Sequence, residues 1–177
     1  MRAARPDALY VDAGNVLDGI STVKEGALSL HRPTSLDLLR DLRPAALAPG
    51  QQEWASGLSA LAEETRGLPY VLTNVQEGTD NPFASIQTVD VAHGDGRLRI
   101  GFLGITEPWA EASNMLSDPI TSVQRTVDAV QHTDPHDLLV VLGHLTPDTL
   151  RAMQRDLRGV DLVLGDTGPR PQRTQIQ

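Results

Sequence analysis

The chain has 177 residues, of which 40% are hydrophobic and only 3% aromatic, and its formal net charge is -8. This length suits one domain with a core of aliphatic side chains, while the negative charge argues against binding to nucleic acid or anionic membranes, which requires clustered cations. The absence of cysteine excludes disulfides and thiolate chemistry, and no apolar run approaches the roughly 20 residues that would insert across a membrane.

Strand and helix signals alternate along the first half of the chain. The predicted elements are a strand over residues 8–11, a loop over 18–33, a helix over 34–43, a strand over 45–48 and a helix over 54–66. Thr34 or Ser35 can cap the first helix, and Pro44 ends it. The first strand runs into the polar turn at residues 12–15, and the second runs into the turn at residues 49–53.

The second half continues this alternation. The predicted elements are a strand over residues 70–73, a hairpin of strands 86–91 and 98–104, a helix over 121–132, a strand over 138–142, a helix over 147–156 and a strand over 162–164. Short apolar runs bounded by glycine and polar residues are typical of strands buried on both faces. Open α/β sheets place their chemistry in loops beyond the carboxyl ends of strands, where His144 and Asp166 lie.

The polar strand ends form an ordered series of motifs. They read DAGNVLDG at 12–19, PGQQEW at 49–54, LPYVLTNV at 68–75, RLRIGFLGIT at 97–106, VVLGHL at 140–145 and VDLVLGDTGP at 160–169. The series resembles the metallophosphoesterase superfamily in its 5′-nucleotidase-like branch. That branch has DAGD, GNHE with an aromatic, a PxLxAN strand, KIGxIG, a GH or SH pair and GGHTH in the same order. The resemblance covers nearly the whole chain.

The resemblance implies a definite architecture. The fold class would be α/β, a calcineurin-like β-sandwich flanked by helices, with residues 1–170 as one domain and residues 171–177 as a flexible tail. The family's opening DxH motif precedes DAGD by some tens of residues, so we expect the chain to be N-terminally truncated relative to the family. The family's C-terminal nucleotide-binding domain would also be missing.

The departures from the family motifs fall on the residues that carry its chemistry. Asn15 stands where an Asp bridges two metal ions, and Gln51 and Gln52 replace the Asn and His of GNHE, the His being the proposed general acid. The two histidines of GGHTH are Asp166 and Gly168. An Asn amide is neutral and bridges cations poorly, and a Gln side chain cannot exchange a proton near neutral pH.

Only His144 stands where the family has a metal-binding His. We therefore expect at most one weakly bound divalent ion, Mn, Zn or Mg, held by His144, Asp166, Asn15 and Gln51. The expected function is a catalytically impaired or inactive domain that acts as a structural or interaction module with a protein partner. The alternative is an active metal-dependent phosphoesterase or nucleotidase, acting on a small phosphoester with substitute ligands or a completing partner strand.

The same comparison leads to two expectations about the compartment. The N-terminus has two early arginines but no apolar segment typical of a signal peptide. The chain would be cytoplasmic if it is complete as given, and periplasmic or extracellular if it is a fragment of a secreted family member.

Other constellations have simpler interpretations. The D-T-G at residues 166–168 matches aspartic proteases, with Asp12 as the second carboxylate, but the strand-helix alternation does not suit an all-β protease. His132 and His136 are expected to be loop histidines. Glu53, Asp12 and Asp18 are expected to serve turns and caps. The two tryptophans, Trp54 and Trp109, are expected to pack against the sheet.

Overall fold

The computed structural model describes residues 8–17, 25–166 and 171–175. The helices are Glu25–Leu42 (α1), Leu58–Glu64 (α2), Pro119–Thr133 (α3) and Pro147–Asp156 (α4). The strands are Val11–Asp12 (β1), Ala46–Leu47 (β2), Gln87–His93 (β3), Gly96–Thr106 (β4), Leu138–His144 (β5), Leu162–Asp166 (β6) and Pro171–Gln175 (β7). Short 3-10 helices cover Gln51–Ser56 and Ala110–Ala112.

Two sheets stack face to face. The larger sheet has the order β3-β4-β5-β6-β7, in which β4, β5 and β6 are parallel and both outer pairs are antiparallel. The smaller sheet pairs β1 with β2 in parallel, and isolated bridges extend it from Leu47 to Tyr70 and from Val71 to Ala84. A hydrogen bond from the Thr73 amide to the Gly104 carbonyl, 2.7 Å long, joins the two sheets.

Side-chain alternation along the central strands separates two cores. In β5, Val140 and Leu142 face the smaller sheet, whereas Leu139 and Val141 face the opposite way, as the two-residue period of a strand requires. The outward core is closed by α3 and α4 through Val123, Leu150 and other residues. A third core lies between the smaller sheet and α1 and α2. The molecule is thus a β-sandwich flanked by helices, as expected.

The strand-helix-strand unit β5-α4-β6 confirms the predicted order of elements and the bounds of the helix, but both strands run two residues further than predicted, so His144 and Asp166 are strand-end residues and not loop residues. The Thr146 hydroxyl caps α4 by accepting from the Thr149 amide at 3.2 Å, with Pro147 in the first turn, where its missing N–H costs nothing. Strands β5 and β6 are parallel, with Val140 beside Leu162 and His144 beside Asp166, so both strands end at the same edge of the sheet. None of the helices among the described residues combines the length and apolarity that crossing a bilayer requires.

The first helix begins earlier than predicted. Residues 25–33, expected to be loop, form the start of α1, and Pro33 lies inside the helix; residues 18–24 lie outside the described part of the chain. Proline removes one backbone hydrogen bond but does not forbid a helix that tertiary contacts support. Arg32 supplies such a contact, because its guanidinium Nε donates to both Glu64 carboxylate oxygens at 2.7 and 2.9 Å.

Three further predictions differ from the structure. The helix expected over residues 54–66 is divided into the 3-10 helix and α2 at Gly57, whose φ is 87°. The hairpin turn consists of Gly94 and Asp95 rather than the Asp-Gly pair, since His93 pairs with Gly96. Where a flexible tail was expected from residue 171, the backbone of residues 171–175 pairs antiparallel with β6.

Candidate functional site

The loop after β1 and the loop after β2 are in direct contact. Gly14 has φ +115°, and a Cβ there would lie 2.9 Å from the Gly50 Cα, so only glycine allows this approach. The Asp12 carboxylate accepts a hydrogen bond from the Gly14 backbone amide at 2.8 Å, which stabilises the turn. Asn15 follows with φ 62°, a conformation that Asn tolerates better than most residues.

Asn15 links the two loops through its side chain. Its Oδ1 accepts a hydrogen bond from the Gln52 amide at 3.1 Å, across 37 residues of sequence. Gln51 and Gln52 are both exposed at the start of the 3-10 helix. The structure therefore brings together three of the residues that the resemblance singled out, and the Asn15 oxygen already accepts a protein donor.

Glu53 is fully buried beneath these loops. One carboxylate oxygen accepts a hydrogen bond from the Gly50 amide at 2.7 Å. The other accepts hydrogen bonds from the Leu17 amide at 3.1 Å and from the Tyr70 hydroxyl at 3.3 Å. Burial raises the pKa of Glu53 to about 7, although the Gly50 and Leu17 amides act in the opposite direction. Burial and the neighbouring carboxylate likewise raise the pKa of Tyr70. The expected capping role of Glu53 is confirmed, as is the turn role of Asp12; Asp18 lies outside the described residues.

The remaining candidates lie at one edge of the larger sheet. Register places Thr106, the last residue of β4, beside His144, the last residue of β5, and His144 beside Asp166 at the end of β6. Adjacent strands are about 4.8 Å apart. The Thr106 hydroxyl donates to the Pro49 carbonyl at 2.6 Å, so this edge meets the loop that precedes Gln51. Gly168 lies outside the described residues.

Sequence reasoning missed Asn74 and Thr106 as elements of the site. The Asn74 amide donates to the Thr106 carbonyl at 2.8 Å and to the Ser117 carbonyl at 3.2 Å, and its oxygen accepts the Thr106 amide at 3.2 Å. Asn74 is fully buried; its two bonds to Thr106 fix the end of β4, and its bond to Ser117 ties in the segment before α3. The available signal was the family-like LPYVLTNV segment, in which the Asn follows an apolar run.

The donors at this edge do not fit a two-metal centre. Such a centre holds its cations roughly 3.5 to 4 Å apart and needs anionic oxygens against their repulsion, whereas Asn15 and Gln51 offer neutral amides. Within residues 8–17, 25–166 and 171–175, no three His, Asp or Glu side chains are grouped so that they could hold a metal ion. A single weak ion near His144 and Asp166 stays a prediction.

A cleft of about 670 Å³ opens beside the 3-10 helix. The side chains that line it are Gln51, Gln52, Trp54, Trp109, Glu111 and Met115. The two indole rings meet edge to face, with centroids 5.3 Å apart and planes at 77°. Both rings pack against the core between the smaller sheet and α1 and α2, which confirms the expected packing role. The Trp54 Nε1 donor is buried and lacks an acceptor among the described residues.

The competing motifs are explained by local structure. His132 contacts the Asp128 carbonyl through Nδ1 at 2.9 Å within its own helix, and His136 contacts the Thr88 hydroxyl through Nε2 at 2.9 Å. The expected loop position is confirmed for His136 but is wrong for His132, which lies in the last turn of α3. The layered α/β fold also contradicts an aspartic protease built from Asp12 and Asp166, because that class is all-β.

Comparison with known proteins agrees with this architecture. No protein-family model and no curated protein matches the sequence. Among solved structures, calcineurin-like phosphoesterase YfkN from Bacillus subtilis is similar with a TM-score of 0.74 and 17% identity, over 94% of this chain and 60% of that one. A 5′-nucleotidase precursor from Thermus thermophilus gives a TM-score of 0.73 and 26% identity, over 94% of this chain and 34% of that one.

A third structure extends the comparison. The NAD nucleotidase of Haemophilus influenzae gives a TM-score of 0.72 and 14% identity, again over 94% of this chain and 34% of that one. The chain therefore spans less than two thirds of each of these proteins. Together with the layered sandwich and the ordered strand ends, these similarities show that the chain has the calcineurin-like metallophosphoesterase fold in its 5′-nucleotidase-like form.

Proposed function

We propose that this chain is a degenerate 5′-nucleotidase-like domain that has lost phosphoester hydrolysis and acts as a structural or interaction module for a protein partner. One observation carries the proposal: the Asn15 side chain is hydrogen bonded to the backbone of Gln52. By resemblance, these two positions belong to a metal-bridging carboxylate and a general acid. Here both are neutral amides, and the first serves to join two loops.

The chemistry of hydrolysis supports the same proposal. Cleavage of a phosphoester needs an activated nucleophile and a proton for the leaving oxygen. A Gln52 amide cannot deliver that proton near neutral pH. Glu53, the nearest carboxyl in sequence, is fully buried and accepts hydrogen bonds from Gly50, Leu17 and Tyr70. It therefore supports the loop and is not positioned to replace the missing acid.

A working phosphoesterase is the second candidate, and one observation favours it. His144 and Asp166 are register partners at adjacent strand ends, so a His and an Asp occupy neighbouring positions at the expected edge of the sheet. Substitute ligands from outside the described residues, or a strand from a partner, could complete that pair.

Turnover of p-nitrophenyl phosphate and of AMP, measured with Mn²⁺, Zn²⁺ and Mg²⁺ in turn, separates these candidates. We expect rates equal to those of a metal-only blank, for the unaltered chain and for His144→Ala alike. Metal-dependent turnover well above the blank, abolished by His144→Ala but retained by His132→Ala, would establish the enzyme instead. His132 is the matched control because it is an exposed histidine whose Nδ1 contacts a carbonyl of its own helix, α3.

A further inference from the structure

The cleft beside the 3-10 helix contains aromatic and acidic side chains that the proposed function does not use. Trp54 and Trp109 form its aromatic part, with ring planes at 77°, so the two rings meet as two sides of a corner. Trp54 is only 4% exposed and anchors the corner, while Trp109 is half-buried and presents the accessible ring. Met115 adds a polarizable thioether to the same lining.

The polar part of the cleft is neutral or negative. Gln51 and Gln52 contribute amides, and the exposed Glu111 contributes the one carboxylate among the described residues that line the cleft. Those described lining residues include no Lys, Arg or His, and the chain as a whole has a formal charge of -8. The electrostatic environment therefore favours a cation over a phosphate or carboxylate ligand.

We infer that this cleft binds a small organic ammonium ion, with a trimethylammonium-sized head against the Trp109 ring and the Glu111 carboxylate as counter-charge. A weakly hydrated alkylammonium is attracted by the negative face of an indole, and Trp109 is the accessible indole of this cleft, held in place by its edge-to-face contact with the buried Trp54. A hard divalent ion would need several oxygen ligands at short range, which one exposed carboxylate and two amides do not provide. The cleft volume of about 670 Å³ lies within the range of small-molecule sites.

This inference does not depend on the loss of hydrolysis. Trp109 and Glu111, on which the inference depends, are distinct from Asn15, Gln52 and His144, on which the question of hydrolysis depends; Gln51 and Gln52 contribute only neutral amides to the cleft. A chain that hydrolyses phosphoesters could still bind an ammonium ion here, and an inactive chain could fail to bind one. The two proposals are therefore tested separately.

The chain provides its own reporter, because its two tryptophans both line the cleft. Tryptophan fluorescence would be titrated with choline and with 3,3-dimethylbutan-1-ol, the neutral isostere in which carbon replaces the quaternary nitrogen. Ionic strength would be held constant with NaCl, and calorimetry would provide a second readout. We expect a saturable response to choline and an affinity for the isostere that is weaker by about tenfold, as expected for a largely desolvated cation–π contact.

Three variants locate the binding. Trp109→Leu should weaken choline binding about tenfold, with Trp54 as the remaining reporter, whereas Trp109→Phe should retain most of the affinity because a ring is kept. Glu111→Gln should weaken it roughly threefold at low salt, since an exposed carboxylate is partly screened. Asp95→Asn is the matched control: it removes one exposed carboxylate from the β3–β4 turn and should change nothing.

The possible outcomes decide the inference in either direction. Equal affinity for choline and its neutral isostere would reduce the cleft to an apolar crevice and overturn the assignment. So would the absence of any saturable signal in both fluorescence and calorimetry. Undiminished choline binding by a folded Trp109→Leu variant would place the ligand elsewhere. Charge-selective binding that Trp109→Phe keeps and Trp109→Leu loses would support it.

Discussion

Glu53 gives the sharpest prediction about the energetics of the site, because it is a fully buried carboxylate with three hydrogen-bond donors. Two effects compete at this position. Burial penalises the charged form, and the Gly50 and Leu17 amides favour it. Burial is the larger effect, so the pKa of Glu53 rises from 4.5 to about 7.

The sign of the resulting pH dependence follows from proton linkage. Between pH 4.5 and about 7 the folded chain holds a proton on Glu53 that the unfolded chain has released. Stability should therefore be greatest at the acidic end of this window and should fall as the pH rises towards 7. At 1.36 kcal/mol per pKa unit, the Glu53 contribution to the free energy of unfolding lost across the window is roughly 3 kcal/mol.

Urea unfolding at pH 5, 6, 7 and 8 would measure this loss, with Glu53→Gln as the variant that removes the titration. The amide imitates the neutral acid, so the stability of Glu53→Gln relative to the unaltered chain should improve by about 2 to 3 kcal/mol from pH 5 to pH 8. Glu63→Gln is the control, because it removes an exposed carboxylate of the following helix, with a side chain 80% exposed.

The opposite trend would refute this reasoning. If the unaltered chain gained stability over Glu53→Gln as the pH rose, the Gly50 and Leu17 amides would outweigh burial, and the carboxylate would be a net anchor for the loops in its charged form. A difference between the two chains that stays constant with pH would show that Glu53 does not titrate in this window.

Three further predictions concern the loops and strand ends of the candidate site. Calorimetry with Mn²⁺ should show no tight binding event and no second ion, and His144→Ala should remove whatever weak binding is seen; two tight ions per chain would contradict the donor argument. Asn15→Ala should destabilise the fold by about 1 to 3 kcal/mol in urea unfolding, because it places alanine at φ 62° and removes the bond to Gln52. Thr106→Val should cost about 1 to 3 kcal/mol, since it leaves the Pro49 carbonyl without its 2.6 Å donor; a loss below about 0.5 kcal/mol would show that water replaces the hydroxyl.

The elements that could be predicted are those whose signals are local. The order and type of the elements from β5 to β6 are predictable because each apolar run is short and ends in glycine, and because α4 begins with a capping Thr and a Pro; only the strand ends, which extend two residues further than predicted, are missed. The start of α1 is not, because a proline such as Pro33 usually marks a helix boundary, whereas contacts such as that between Arg32 and Glu64, 32 residues away, support the helix. No local pattern contains that information.

The site was predictable only in part, for a related reason. The resemblance identified Asn15, Gln51 and His144 as positions of interest, and the structure places Asn15 against the Gln51–Gln52 turn and His144 in register with Asp166. The resemblance did not reveal that the Thr106 hydroxyl donates to the Pro49 carbonyl, 57 residues away in sequence. Such bonds depend on the stacking of two sheets, which a single strand pattern does not encode.

Hydrogen bonds within the protein support the loops and strand ends of the site. Glu53 holds Gly50 and Leu17, Asn74 holds the end of β4, and Thr106 holds the Pro49 carbonyl. Each of these contacts is a hydrogen bond between groups of the protein itself, so each one restrains a loop or a strand end of the site. A side chain that does not support the backbone can be exchanged at little cost in stability, and the side chains of Gln51 and Gln52 are exposed. Asn15 is different, because its side-chain oxygen accepts a hydrogen bond from the Gln52 backbone amide and so joins two loops; Asn15→Asp would make that bond charge-assisted, whereas Asn15→Ala removes it.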